Sequence, residues 1–87
     1  MSLRLSAEGV KVFDEWRANR CRSPDDEHLV TEVLRAVADR NWQHRWYSYK
    51  AEGEPDVTSI AARDGLFVHV RLWDGDEDEF TIVSITG

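Results

Sequence analysis

Cysteine and long apolar runs are nearly missing from this chain of 87 residues, and each scarcity excludes a class of protein. The single cysteine, Cys21, cannot form an internal disulfide, which argues against a small disulfide-stapled secreted scaffold. No apolar run approaches the roughly 20 residues that a membrane-spanning helix requires, and no basic segment followed by an apolar one marks a secretion leader. We therefore expect a cytoplasmic protein that does not associate with membranes.

Basic residues are also in short supply, since 11 lysines and arginines stand against 17 acidic residues and give a formal net charge of -6. An acidic protein repels polyanions unless its cations are gathered on one side, so this composition disfavours nucleic acid as a partner. A chain of this length is expected to fold as one domain, residues 1–87, in which most elements can bury only one face.

Two helices are predicted in the first half of the chain. Ser6 is a suitable N-cap for a helix from Ala7 to Asn19, whose apolar stripe is Val10, Phe13 and Trp16. Ser23 followed by Pro24 starts a second helix that ends near Arg40. Its apolar residues recur at helical spacing and are Leu29, Val30, Val33, Leu34 and Val37. The short connection predicts that the two helices are antiparallel neighbours.

The second half of the chain is predicted to form strands. From Trp42 to Tyr49 the pattern has a period of two, Ala51 to Asp56 reads as a loop, and Val57 to Arg63 is a second strand. Leu3 to Leu5 has the alternation of a short edge strand. The order α-α-β-β-β-β predicts an α+β domain, with two antiparallel N-terminal helices on one face of a mainly antiparallel sheet of three to five strands.

The last third of the chain predicts a hairpin. Asp64-Gly65 indicates a type I′ turn, in which both central residues take positive φ. The strand after it has two distinct sides, because Leu66, Val68, Val70 and Leu72 alternate with Phe67, His69, Arg71 and Trp73. A second turn at Asp74-Gly75-Asp76 leads into an apolar last strand from Phe80 to Ile85.

The motifs that usually carry chemistry are incomplete here. Asp74, Asp76 and Asp78 have the spacing of the first three ligands of a calcium-binding loop. Such a loop requires a glycine at its sixth position and a bidentate glutamate at its twelfth, and here these positions hold Glu79 and Ile85. The three histidines have no paired ligand spacing, and Cys21 has no neighbouring histidine to activate it; these histidines are His28, His44 and His69. We therefore expect no metal, no cofactor and no catalytic residue.

The aromatic and basic side of the predicted sheet is the remaining candidate site. Aromatic side chains with arginine are enriched at protein interface hot spots, and rings on a sheet can also stack on RNA bases. We assign partner binding to Phe67, His69, Arg71, Trp73, Tyr47 and Tyr49. Strand pairing decides whether the two tyrosines or Trp42, His44 and Trp46 share this face. Alternatively, these side chains only stabilise the exposed side of the sheet or lie beneath a helix.

The order of elements resembles that of RelE/ParE-type toxins. This resemblance implies a ribonuclease, with Lys50, Arg63 and Arg71 where that family needs a phosphate-binding residue on the sheet. The chain departs from the family in being acidic, and Val83 to Gly87 holds no His, Arg or Tyr for the chemistry. A toxin-type ribonuclease, or a degenerate relative of one, is therefore the alternative function.

The leading hypothesis is a small acidic non-catalytic module that docks on and modulates a partner protein. A basic partner would be steered toward its acidic segments, Asp25 to Glu27, Glu52 to Asp56 and Asp74 to Glu79. A toxin–antitoxin or phage setting suits either function. A homodimer through an exposed edge or the apolar last strand is compatible with both.

Overall fold

The computed structural model describes residues 3–20, 23–42, 45–72 and 79–86. These residues form, in chain order, β1 (Arg4–Leu5), α1 (Ala7–Asn19), α2 (Pro24–Ala38), β2 (Ser48–Ala51), β3 (Glu54–Arg63), β4 (Leu66–Leu72) and β5 (Glu79–Thr86). The strands make one sheet in the spatial order β1-β5-β4-β3-β2. Neighbours pair antiparallel except for β1, which runs parallel to β5. The predicted α+β class and the short N-terminal strand are confirmed.

Both helices begin where the sequence predicts, because a serine caps each of them. The Ser6 hydroxyl accepts a hydrogen bond from the backbone N–H of Gly9 at 3.0 Å. The Ser23 hydroxyl accepts one from the N–H of Asp26 at 3.2 Å. Each cap satisfies a donor that the first helical turn leaves unpaired, which typically stabilises a helix by about 1 kcal/mol.

α2 ends in a left-handed cap that usually contains glycine. Arg40 takes a φ of 59°, and its N–H donates to the carbonyl of Val37 at 3.0 Å. The N–H of Asn41 donates to the carbonyl of Ala36 at 2.9 Å. These two bonds are those of a Schellman motif with arginine in the glycine position.

The core lies between the helices and one face of the sheet. β4 alternates as predicted, with Leu66, Val68 and Val70 buried and the residues between them partly exposed. α2 contributes Val30, Val33, Ala36 and Val37, and the neighbouring strands contribute Ile60, Phe80, Ile82 and Ile85. Across the residues that the structure covers, neither helix has the length and apolarity needed to cross a bilayer.

α1 turns a different side to the core from the predicted stripe. Trp16 is buried, and Phe13 and Val12 pack against the core. Val10 is 44% exposed, so its assignment to the buried stripe is wrong. The helix packs beside β5, and this neighbour, which helical spacing alone does not reveal, decides which residues are covered.

Gly9 is the point where α1 comes closest to the sheet. A Cβ atom at this position would lie 2.5 Å from Cδ1 of Leu5 and 3.0 Å from the backbone nitrogen of Ile82. A glycine in the first turn of a helix lowers its intrinsic stability, but here it allows the helix backbone to approach β5. The residue therefore sets the distance between α1 and the sheet.

The strand predicted from Trp42 to Tyr49 is wrong in its first part. β2 begins at Ser48, because Trp42 and Trp46 belong to a turn in which the N–H of Trp46 donates to the carbonyl of Trp42 at 3.2 Å. Trp42 is 8% exposed, and Trp46 packs against the core. Burial of two large indole rings thus outweighs the local strand preference of aromatic residues.

Two turns differ in detail from the prediction. A type I′ turn needs positive φ at both Asp64 and Gly65. Gly65 has a φ of 83°, but Asp64 does not have a positive φ, so the turn is not of type I′. The pairing of β3 with β4 shifts register beside this turn, which indicates a bulge. The loop predicted at 51–56 is shorter, because Gly53 takes a φ of 79° and β3 begins within it.

Candidate functional site

Strand pairing places the candidate residues of β2 and β4 on the sheet face opposite the helices, which we call the outer face. Tyr49 lies opposite Ser59 of β3, and Ser59 lies opposite His69 of β4. The N–H of Ala61 donates to the carbonyl of Tyr47 at 2.9 Å, which positions this tyrosine just before β2. Tyr47 and Tyr49 therefore share the outer face with the β4 residues, whereas Trp42 and Trp46 contribute to the core.

Several predicted features fall outside the described residues. These are Trp73 of the candidate site, Cys21, His44 and the acidic turn at 74–78. The candidate site is accordingly built from Tyr47, Tyr49, Phe67, His69 and Arg71.

Four rings form a continuous cluster, the aromatic surface, made of Tyr47, Tyr49, Phe67 and His69. Ring centroids are 6.0 Å apart from Tyr47 to Tyr49, 6.4 Å from Tyr49 to Phe67 and 6.4 Å from Phe67 to His69. Tyr47 is 72% exposed and Tyr49 is 43% exposed. The interplanar angles along the cluster are 41° for the tilted Tyr47–Tyr49 contact, 74° for the edge-to-face Tyr49–Phe67 contact and 23° for the stacked Phe67–His69 contact.

His69 is fixed between two hydroxyl groups. Its Nδ1 lies 2.7 Å from Oγ of Ser59, and its Nε2 lies 3.0 Å from Oγ1 of Thr86. Partial burial lowers the pKa of His69, so the ring is neutral at pH 7. A neutral imidazole donates through one nitrogen and accepts through the other, so one hydroxyl accepts a hydrogen bond and the other donates one.

The Ser59–His69 pair does not form an accessible nucleophile. Ser59 is 1% exposed, so its hydroxyl is closed to a substrate, and its bond with His69 orients the imidazole on the outer face. Ser59 and Thr86 were missed by the sequence reasoning. Their serine and threonine side chains carry no signal of this role until the strand register places them beside His69.

Arg71 lies at one end of the outer face in an ion pair with Asp56. The distance from Nε of Arg71 to Oδ2 of Asp56 is 3.0 Å, and the two side chains are 33% and 47% exposed. Arg71 lies opposite Val57 and Thr81 in the flanking strands. Because the two charges are balanced locally, this end of the face gains no net positive charge.

The three cations proposed as phosphate ligands do not meet in one site. Nζ of Lys50 lies 3.5 Å from Oγ1 of Thr58, on the face of the sheet that the helices cover. Arg63 binds Asp26 of α2 with its Nε 2.7 Å from Oδ1, whereas Arg71 lies on the outer face. Their separation removes the positive cluster that a phosphate site would need.

Two grooves open on the surface, and the second of them borders the aromatic surface at Tyr49. One, of about 330 Å³, lies between α1 and β5 and is lined by Val12, Glu15, Trp16, Asn19, Arg20, Val83, Ser84 and Ile85. The other, of about 170 Å³, is lined by Trp42, Ser48, Tyr49, Lys50 and Thr58. In the part of the chain that the structure describes, no three His, Cys, Asp or Glu side chains are grouped to hold a metal ion.

Comparison of the chain with protein-family models, with curated proteins and with solved structures gives no match. The functional assignment therefore rests on the residues of the outer face.

Proposed function

We propose that this protein is a small acidic non-catalytic module that docks on and modulates a partner protein through the aromatic surface. The observation that carries the proposal is the exposure of Tyr47 and Tyr49, 72% and 43%, within a continuous ring cluster. Tyrosine is enriched at binding hot spots because its large ring has few torsions to immobilise. A partner that covers these rings would bury apolar area that the isolated chain leaves in water.

The charges around the aromatic surface support a basic partner. Burial lowers the pKa of His69, so a partner that covers this ring does not bury an unpaired imidazolium charge. The chain as a whole has a net charge of -6, which attracts basic proteins over several ångströms and repels nucleic acid. Attraction of this kind raises the association rate more than the final affinity.

The toxin-type ribonuclease remains the alternative function, with less support. Arg63 and Arg71 each lie in an ion pair, with Asp26 and Asp56, and Lys50 is on the other face of the sheet from Arg71. A scissile phosphate placed on the outer face would meet Arg71 beside a carboxylate. This arrangement disfavours the stabilisation of negative charge during RNA cleavage.

Reconstitution with a purified partner tests the proposal. A partner captured from lysate of the source organism is purified, and its affinity is measured for the parent protein and for a Tyr47→Ser, Tyr49→Ser double variant. We expect the double variant to bind at least about tenfold more weakly, the loss typical of a hot-spot side chain. Val10→Ser is the matched control. Val10 is 44% exposed, a fraction similar to the 43% of Tyr49, but it lies on α1 and not on the outer face.

Two results would overturn the proposal. One is a reconstituted complex whose affinity is unchanged in the double variant although the variant keeps the parent far-UV circular dichroism and unfolding midpoint. The other is cleavage of RNA by the purified protein, with or without ribosomes, that is lost in Arg71→Ala. The second result would support the ribonuclease alternative directly.

A further inference from the structure

The strand that carries Tyr49, β2, lies at the edge of the sheet. It is the last strand in the order β1-β5-β4-β3-β2, and in the described part of the chain it has no strand on its other side. At the opposite edge, β1 is only two residues long and α1 packs beside β5, so a helix shields that side. β2 is therefore the edge at which another strand can pair.

The backbone groups of Ser48 and Lys50 point away from the sheet at this edge. The N–H of Ala61 donates to the carbonyl of Tyr47, so the backbone of Tyr47 faces β3, and two residues further on that of Tyr49 does too. In an antiparallel pair, residues that exchange hydrogen bonds with the neighbouring strand alternate with residues that do not. Ser48 and Lys50 thus present N–H and carbonyl groups to an added strand, as in β-augmentation.

A groove lies along the same edge. It has a volume of about 170 Å³ and is lined by Trp42, Ser48, Tyr49, Lys50 and Thr58. Three consecutive residues of β2 belong to this lining, and since their side chains alternate between the two faces, the groove follows the edge of the strand. The volume is below the roughly 300 Å³ of a typical small-molecule pocket, so it suits one side chain of a docked segment.

Lys50 determines which charge that side chain should carry. Its Nζ lies 3.5 Å from Oγ1 of Thr58, and it takes part in none of the ion pairs among the described residues. A carboxylate in the groove would pair with this ammonium group. A second copy of the chain is a poorer occupant, because it brings an identical lysine and a further net charge of -6.

On the outer face, the added strand would lie beside Tyr47 and Tyr49. Side chains of paired strands alternate in step, so the neighbours of the acidic residue would project onto the outer face. Tyr49 is 43% exposed and Tyr47 is 72% exposed, which leaves ring area for these neighbours to cover. Pairs of an aromatic and a β-branched side chain on adjacent strands are favourable, so valine, isoleucine and threonine suit these positions.

We infer that β2 accepts an antiparallel strand of the partner protein, with an acidic side chain beside Lys50 and β-branched side chains against Tyr47 and Tyr49. This inference rests on the proposed function, because it states how the partner docks on the aromatic surface. The antiparallel direction is chosen because parallel pairing is slightly less stable per residue. Basic residues outside the paired segment are attracted by the net charge of -6.

A titration of the labelled protein, followed by amide NMR, tests the inference with the peptide Arg-Val-Glu-Val-Ser-Val-Arg, blocked at both ends. In the antiparallel register its glutamate lies opposite Lys50, its central valine opposite Tyr49 and its serine opposite Ser48. We expect saturable binding. At saturation the amide hydrogens of Ser48 and Lys50 should become protected from exchange, whereas that of Tyr49 already has its partner in β3.

Two N-methylated peptides separate backbone pairing from side-chain contact. Methyl groups on the amide nitrogens of the glutamate and the serine remove the two donors that face β2. This change should weaken binding at least about tenfold, the loss expected for two hydrogen bonds. A methyl group on the central valine, whose N–H points away from β2, is the matched control and should change the affinity less than about threefold.

A peptide with glutamine in place of glutamate tests the contact with Lys50. It should bind the parent protein about threefold more weakly than the glutamate peptide, whereas Lys50→Gln should bind the two peptides equally. Tyr49→Ser should weaken the glutamate peptide at least about tenfold, and Val10→Ser should leave its affinity unchanged. Retained dispersion of the amide spectrum shows that each variant is folded.

Several outcomes would overturn the inference: no saturation, equal affinity of the doubly N-methylated peptide, equal affinity of the glutamine peptide for the parent protein, or binding without protection of Ser48 and Lys50. Protection of these two amides in the free protein that is lost on dilution would also overturn it, because a second copy would then occupy the edge.

The proposed function fails on a different observation. A purified partner that requires Tyr47 and Tyr49 but leaves the amides of Ser48 and Lys50 unprotected would remove the inference and keep the proposed function. A partner whose affinity is unchanged in the Tyr47→Ser, Tyr49→Ser double variant would remove the proposed function itself.

Discussion

Arg63 and Asp26 form a two-point ion pair that joins the β3–β4 hairpin to the first turn of α2. Nε of Arg63 donates to Oδ1 at 2.7 Å, and Nη2 donates to Oδ2 at 2.9 Å. Nη1 of the same arginine donates to the carbonyl of Asp64 at 2.7 Å. Because the N–H of Asp26 is itself bound by Ser23, one arginine connects the turn, the strand and the cap of the helix.

Replacing Arg63 should loosen this connection. We expect Arg63→Ala to lower the urea midpoint, and Arg63→Lys to recover only part of the loss, because lysine cannot donate two parallel hydrogen bonds to one carboxylate. A double-mutant cycle with Asp26→Asn should show a favourable coupling between the two side chains. Strictly additive effects of the two substitutions would contradict this assignment.

The same pair gives a pH dependence at the acid end. The hydrogen bond from Arg63 holds the pKa of Asp26 below its usual range. The stabilisation is therefore present above the unfolded pKa, about 3.9, and is lost as pH falls through the lower folded value. In acid titrations of the urea midpoint, Asp26→Asn should remove this component.

Gly9→Ala should destabilise the protein although alanine is the better helix former. Helix propensity alone predicts a gain of about 1 kcal/mol for this change in a helix interior. The new Cβ would lie 3.0 Å from the backbone nitrogen of Ile82, which cannot rotate away as the Leu5 side chain can. We expect a net loss of about 1 to 2 kcal/mol in urea unfolding, within the range for overpacked sites. A stabilised variant would show that α1 shifts freely on β5.

Arg40→Gly should stabilise the end of α2. Arg40 takes a φ of 59°, a conformation that glycine adopts without a Cβ clash. We expect a gain of roughly 0.5 to 1 kcal/mol in the free energy of unfolding. Arg35→Gly, at an exposed position inside the same helix, is the control and should cost about 1 kcal/mol. Similar losses from both substitutions would argue against the left-handed cap.

Stability should fall between neutral and mildly acid pH because of His69. Burial lowers the pKa of His69 in the folded protein, so the unfolded chain binds a proton more readily. The full stability is present above the unfolded pKa, about 6.5, and is lost as pH falls through the folded value. His69→Gln should flatten the pH dependence of the unfolding midpoint between about pH 7.5 and pH 5. An unchanged slope in His69→Gln would contradict the prediction.

Features that depend on residues close together in the sequence were predictable. Ser6 and Ser23 mark the starts of the two helices as N-caps, and the alternation in β4 distinguishes the buried Val68 and Val70 from the residues of the outer face. Each depends on contacts within a few positions along the chain. The turn at Trp42 was mispredicted because its alternation suits a strand equally well, and only the position of the core selects the turn.

The strand register had to be known before the members of the aromatic surface could be predicted. The pairing of β4 with β5 shifts between His69 and Val70, and that of β2 with β3 shifts between Lys50 and Ala51. A slip of one residue moves every side chain of a strand to the other face of a sheet. No local sequence pattern could therefore predict whether the two tyrosines or the tryptophans would lie on the same face as Phe67.

The pairing of β1 with β5 governs when the fold can form. Leu5 lies opposite Phe80, and the hydroxyls of Ser6 and Thr81 are 2.8 Å apart across 75 positions of sequence. During synthesis α1 emerges long before β5, the strand that covers it, so the apolar side of α1 stays exposed to solvent until the last strand is made. Long-range closure of this kind slows folding, and an interrupted chain that lacks β5 would leave an aggregation-prone intermediate in place of a smaller folded unit.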